Sequence, residues 1–486
     1  MTAAKTNTKK KGKMYWINAV VVLFLMFGFK YIPPIGGLSE LGMNGVGIFI
    51  SLIYAWTFVD FVWPSLLGIV AVALTDFTTM NNAFMTAFGD STVLLTFFVL
   101  TYVEYLTRTG LCKYVAYWFV SREMCIGRPY VLMAMLFAGS FVIGAMTGSM
   151  ASLVIGWAIV YELADIADFE KGDKYLVLSM IGIVAAGALG VAIFPFKAIA
   201  AIFIAPALQI AGYNMEFTTF FGSSIIVSLI SCTLIVLASK FIFRPNTRNL
   251  LAQGDLFKQH RDVKMTAEQK IGAVSLIFVI CACIAPDVLP DGWAITAFCK
   301  RFSLGTIVAV VLAILGLVRV KGKKLCDVAD CVKNGVNWEM IIMLAGSMPI
   351  AALLKSEESG VTILLNNALT AVLGDFSPFV IGIIFILFAG IITQVAHNIV
   401  LAIVLAPVIA NLAVSMNFNP LPIVVFASML TNFGIATPGA SILGAMIYSN
   451  REWLPLKPSF ITCWALVFIV IIVAIVVGYP IVSLMC

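Results

Sequence analysis

The stretch PYVLMAMLFAGSFVIGAMTGSMASLVIGWAIVY, residues 129–161, holds no Asp, Glu, Lys or Arg over 33 positions. As one helix it would be about 50 Å long, against about 30 Å for the hydrocarbon core of a bilayer. It is too long for one straight span and too short for two full ones, and no polar loop divides it. A re-entrant pair of half-helices folding back near Thr147-Gly148-Ser149 fits the length. Phe376 to Asn450 forms a second such run, 75 residues without a formal charge. Its most polar interruption, Asn417-Phe418-Asn419-Pro420, sets off residues 376–416, which predict another hairpin folding back near His397-Asn398. Non-helical backbone at that depth persists only where protein or a water-filled cavity satisfies its polar groups.

Working outward, the whole chain has the same character. Of its 486 residues 62% are hydrophobic and 11% charged, with a mean hydropathy of +1.05. Soluble domains have roughly 45–50% and 25%. This excludes soluble, disordered, collagenous and disulfide-rich secreted classes and gives an all-α polytopic membrane protein. Simple spans are predicted near residues 15–31, 43–59, 61–75, 91–107, 218–243, 271–288, 303–319, 339–354 and 460–484. The stretches 176–210 and 421–449 read as broken spans. The ten cysteines form no CxxC pair and read as small apolar packing residues. The lysine-rich start runs straight into an apolar segment without a small-residue cleavage site, which predicts a cytosolic tail and a retained first span.

The pattern occurs twice. RTGL at 108–111 and ESGV at 358–361 both follow an apolar span, and their glycines are 250 positions apart, as are Thr147 and His397. Each fold-back is followed 40 to 50 residues later by a proline inside an apolar stretch, Pro195 and Pro438. With the N-terminus in the cytosol and eleven crossings, 23 of the 30 Lys and Arg fall on cytosolic loops, as the positive-inside rule requires. The net charge of +6 is then topological and implies no nucleic-acid partner. The C-terminus falls outside, and the two hairpins enter from opposite faces. Inverted halves, each with a hairpin and a broken helix, are the mark of a secondary transporter with its site near the midplane.

No GxxxxGK[ST] phosphate loop, HExxH or paired acidic motif is present, so neither nucleotide-driven transport nor an enzyme is expected. Four groups of residues carry the candidate chemistry. Lys197 lies two positions after Pro195, where burying its charge on a helix costs about 2.5–3.5 kcal/mol. It reads as a cation facing an anionic substrate or standing in for a coupling ion. It also reads as a lysine neutralised by half-helix carbonyls, or one that snorkels to the surface. His397 offers an imidazole for a carboxylate or a proton, and Asn398 offers amide donors and an acceptor. Thr147, Gly148 and Ser149 bring hydroxyls and a permissive backbone to a helix N-terminus. Thr437, Pro438, Gly439 and Ala440 can unwind a helix and free carbonyls for a cation. A plain proline kink is the alternative.

At these positions the chain resembles the divalent anion/sodium symporter family of the ion transporter superfamily, from about residue 43 to the end. That family carries Ser-Asn-Thr at each hairpin tip and a Thr-Pro-Pro-Asn-like break in each following helix. Here the tips read Thr147-Gly148-Ser149 and His397-Asn398-Ile399, and the breaks read Phe194-Pro195-Phe196-Lys197 and Thr437-Pro438-Gly439-Ala440. Asn398, Thr437, Pro195 and Pro438 match, and Thr147 and Ser149 are hydroxyl replacements. Gly148, His397, Ile399 and Lys197 depart, the lysine falling where the family's break has Asn.

The resemblance implies a homodimer with an elevator motion. Residues 1–14 would be a cytosolic tail, 15–128 and 271–375 scaffold, 129–243 and 376–486 the transport part, and 244–270 a cytosolic linker. The expected function is secondary active transport of small organic anions, di- or tricarboxylates, across a bacterial inner membrane. Lys197 would act as a tethered cation, with sodium or a proton as the coupling ion and no cofactor or metal. A sodium/proton or inorganic-anion exchanger for sulfate- or arsenite-like solutes is the alternative within the superfamily, and an ion channel the alternative outside it.

Overall fold

The computed structural model describes residues 13–485 apart from 196, 198–199, 201–203, 205–206, 209–210, 214–216, 253–255, 291–292, 295, 297–303, 321, 362, 365–366, 368–374 and 397. In chain order its main helices begin with α1 (Lys13–Gly28), α2 (Glu40–Phe58), α3 (Val62–Ala73), α4 (Met80–Phe88), α5 (Ser91–Arg108) and α6 (Leu111–Val120). Then come α7 (Pro129–Met146), α8 (Ser149–Ile166), α9 (Lys174–Ala192), α10 (Phe217–Ala238), α11 (Ala267–Val288) and α12 (Leu304–Leu317). The chain continues with α13 (Val328–Gly335), α14 (Trp338–Lys355), α15 (Pro378–Ile392) and α16 (Asn398–Ser415). Last are α17 (Leu421–Thr431), α18 (Ile442–Ser449) and α19 (Leu456–Val473). A two-residue antiparallel ribbon, Arg319–Val320 with Lys323–Lys324, interrupts the helices.

Eight helices among the described residues are long and apolar enough to cross a bilayer, or nine when α4 and α5 count as one broken span. The eight include both arms of the first hairpin. Helix ends follow local chemistry. The Ser39, Asn337 and Ser377 side chains accept from backbone N–H groups at the starts of α2, α14 and α15. Thr266 and Gln269 form a capping box at α11, and Pro129 opens α7.

The chain divides into two compact units, Met1–Val93 with Asn337–Gly374, and Leu94–Val336 with Asp375–Cys486. In the first, α1 packs on α2, and α14 packs on α3 and α4. Small residues permit the approach: Gly346 lies against Ser65, whose hydroxyl also accepts from Trp56 Nε1 at 2.9 Å.

The second unit is built around α9, in which every residue from Tyr175 to Ala192 is buried. A helix apolar on all sides belongs in an interior. Its glycines let α7 come close: a Cβ on Gly190 would strike the Phe141 carbonyl, and one on Gly144 the backbone of Gly187. The helix α17 is likewise buried along its whole length, and α9 and α17 touch. Both are first halves of interrupted helices.

Two local features differ from the sequence reading. The arms α7 and α8 have 18 residues each, about 27 Å, and are longer than half-helices. The second arm runs past residue 161 because Glu162 and Asp165 continue the helix. Two further helices, α4 and α6, lie between the expected spans.

Candidate functional site

At the first tip, α7 ends at Met146 and α8 starts at Ser149. Gly148 sits between them at φ +152°, a conformation that a Cβ disfavours. The fold-back is tight enough for Ser152 Oγ to donate to the Ser140 carbonyl at 3.0 Å. The Thr147 hydroxyl donates to the Ile143 carbonyl at 3.0 Å and lies 3.5 Å from Cys112 Sγ, so it faces its own helix. Gly148 and Ser149 are half-buried, and Met150 beside them is exposed.

The first break follows α9. Phe194, Pro195 and Lys197 are all buried, and the chain turns through Phe194 N–H to Val191 O and Lys197 N–H to Phe194 O, each 3.3 Å. The Lys197 side chain is 8% exposed. Its Nζ donates to the Ala145 carbonyl and sits 4.7 Å from the Phe194 ring centroid. Ala145 lies in the last turn of α7, where carbonyls lack helical partners and the helix dipole is negative. The lysine of the broken helix therefore reaches the tip of the hairpin and does not run out to the surface.

The second tip and break are joined by a different residue. Gln394, 1% exposed, ends the first arm of the second hairpin. Its Nε2 donates to the Gly390 and Phe433 carbonyls, both at 3.0 Å. Its Oε1 accepts from Ile435 N–H at 3.1 Å and Ala436 N–H at 3.0 Å. One amide thus satisfies three backbone groups at the start of the unwound segment between α17 and α18. The Thr437 hydroxyl donates to the Gln394 carbonyl, and Asn398 N–H donates to the Ala440 carbonyl at 3.1 Å. The Tyr448 hydroxyl donates to Ala436 O at 2.6 Å. Ser441 donates to Gly434 O at 2.5 Å and accepts from the first amides of α18.

Within this unit Asn398 and Ala440 are buried, Thr437 is half-buried, and Pro438, Gly439 and Val395 are exposed. His397 lies outside the described residues. The structure brings Thr147, Gly148 and Ser149 to one tip with Lys197 bonded just behind it, and brings Asn398 and Ala440 together at the other. Sequence reading missed Gln394, although it is the one glutamine in the uncharged run 376–450.

Apolar spans and two polar tip-to-break junctions buried among them define a polytopic helical membrane protein with interrupted helices. The chain belongs to the citrate transporter family (CitMHS), whose model matches residues 48–431. Membership places it among transporters and not among enzymes, in agreement with the resemblance read from the tips and breaks. The sodium-dependent dicarboxylate transporter SdcS of Staphylococcus aureus (strain USA300) is 25% identical over 345 residues, covering 68% of this chain and 64% of that protein. The Staphylococcus saprophyticus protein of the same name is 24% identical over 218 residues, 44% of this chain and 41% of that one. The match thus spans less than two thirds of the length of these relatives. The crystal structure of the Alcanivorax borkumensis YdaH transporter aligns with a TM-score of 0.58 at 14% identity, covering 87% of this chain and 98% of that one. At that identity the likeness is one of fold alone.

Proposed function

We propose that the protein is a secondary active transporter of small organic anions of the di- or tricarboxylate class, with Lys197 as a built-in cation at the first tip. The observation that carries this reading is the Lys197 Nζ bond to the Ala145 carbonyl. A cation at the end of α7 occupies the place where helix dipole and free carbonyls would hold a metal ion. The family and the names of the relatives support carboxylates as cargo. Carboxylate groups bind at the helix N-termini of α8 and α16, through Ser149, Gly148 and Asn398, with Thr147 and His397 completing the tips.

The second break has no lysine. Its unwound carbonyls around Thr437, Pro438, Gly439 and Ala440 keep a coupling sodium, the ion named in the relatives. One cation is then resident and one exchanges. Pro195 fixes the turn that presents Lys197. An elevator motion of the transport part, residues 129–243 and 376–486, rests on the resemblance. The homodimer and the cytosolic N-terminus rest on the resemblance and on the charge pattern.

The test is uptake of labelled succinate and citrate into proteoliposomes. Saturable uptake with counterflow by unlabelled substrate is the expected result. Unsaturable flux would indicate a channel. Uptake of sulfate or sodium/proton exchange without carboxylate transport would favour an exchanger.

A further inference from the structure

Away from both tips, helix α6 and the segment that joins the two halves of the sequence line an open cavity of about 370 Å³. Its walls carry Lys113, Tyr114, Tyr117 and Trp118 from α6, and His260 and Lys264 from the segment. The four α6 residues are spaced i, i+1, i+4 and i+5, so Lys113 with Tyr117 and Tyr114 with Trp118 form adjacent i,i+4 pairs on one face. Among the described residues no Asp or Glu lines the cavity, and neither Lys113 nor Lys264 pairs with a carboxylate. Gly110, which caps α6, and Thr266, which caps α11, also line it, so two helix N-termini border the same space.

The floor is fixed. The rings of His260 and Tyr117 stack with centroids 3.8 Å apart. The carboxylate behind them, Glu162 of the hairpin arm α8, is already taken up by the Tyr117 hydroxyl at 2.9 Å and Gln259 Nε2 at 3.2 Å. Arg261 secures the segment through Nε to the Ser121 carbonyl at 3.1 Å. Two exposed ammonium groups therefore stand over an aromatic floor with no carboxylate among the described lining residues.

We propose that this cavity is a binding site for a phosphate-bearing anion, separate from the carboxylate site. Lys113 and Lys264 neutralise the phosphate, and the amide end of α6 adds positive potential. Trp118, 42% exposed at the rim, suits a headgroup whose lipid body lies alongside. A lipid headgroup and free phosphate share this chemistry, and lipid is the source that the exposed aromatic rim favours. Occupancy is felt by the first hairpin, because His260 and Tyr117 both rest against Glu162 of α8.

The experiment titrates the purified full chain in neutral detergent with dioctanoyl phosphatidylglycerol, dioctanoyl phosphatidylcholine and inorganic phosphate. The wild type is compared with Lys113→Gln/Lys264→Gln and with Lys264→Gln alone. Both lysines are exposed, and the single variant lies in a loop, so a fold defect in the double variant leaves a usable comparison. Each lysine near an anionic group is worth about fivefold in binding, so the double variant should bind about 30-fold more weakly. Saturable binding of phosphatidylglycerol but not phosphatidylcholine, weakened in the variants, supports the site with lipid as its source. The same loss with inorganic phosphate supports it with a free anion. Absence of binding, or binding that the lysine changes leave alone, overturns it.

Discussion

The two tip-to-break junctions meet one physical demand in opposite ways. In the first, a side chain of the broken helix reaches the hairpin: Lys197 donates to Ala145 O, and the junction is made by an amine. In the second, a side chain of the hairpin reaches the broken helix: Gln394 bridges Phe433 O with Ile435 and Ala436 N–H, and the bridge is made by a neutral amide. Unwound backbone inside a membrane must be satisfied by protein, and an amide with two donors and two acceptor positions does this without help. A lone ammonium has only donors. It suits the end of a helix, where carbonyls gather. In the transport reading proposed above, it stands there in place of an ion, and the amide-bridged junction is where a coupling ion would come and go.

The largest effect is expected where the amide-bridged junction is cut. Gln394→Leu strands Phe433 O, Ile435 N–H and Ala436 N–H, and each unpaired buried group costs about 1–3 kcal/mol. Thermal unfolding of the detergent-purified variant should show a large loss of stability, with uptake abolished. A variant as stable as the wild type would mean that Gln394 does not hold the break.

A smaller effect is expected at the tip of the lysine junction. Gly148→Ala places a Cβ at φ +152°, and such strain costs about 1–3 kcal/mol. Nothing crowds a Cβ there, so backbone strain alone is measured. Stability and uptake should both fall, less than in Gln394→Leu. No residue described at the second tip has a positive φ, so alanine-to-glycine exchange at Ala396 should leave uptake nearly unchanged. Smaller again is Tyr448→Phe, which removes one hydroxyl from Ala436 O and should cost about 1 kcal/mol. Because Gln394 still holds the segment, uptake should persist at a lower unfolding temperature.

The smallest effect lies outside both junctions. Arg108 at the end of α5 pairs with Asp330 and holds its carboxyl below the ordinary carboxylate value. A lowered folded-state pKa contributes stability above the ordinary value, and that contribution is lost as pH falls through the lowered one. The unfolding temperatures of wild type and Asp330→Asn should differ slightly at pH 6 and converge as pH drops below about 4. The pair is solvent-exposed and screened, so the difference is small.

Much of this was legible in the sequence because membranes make polarity expensive. Thr147-Gly148, Pro195 and Thr437-Pro438 mark places where long apolar stretches are interrupted, and the chain does break there. Lys197 stood out as a charge without an obvious loop. What it touches was not legible, since Ala145 is 52 positions away and offers only a backbone carbonyl. Gln394 was hidden differently. It sits three residues before His397, which drew the functional reading, and its partners lie 39 to 42 positions on. The length of α8 is not legible from charge, because Glu162 and Asp165 continue the helix instead of ending it.

The most direct test of a resident cation at one junction and an exchanging one at the other is sodium dependence. Uptake of labelled succinate into proteoliposomes is measured against external sodium for the wild type and Lys197→Asn. If Lys197 stands in for an ion, the variant should gain a steeper sodium dependence, needing one more sodium per substrate than the wild type. Identical sodium curves in two active proteins would contradict it.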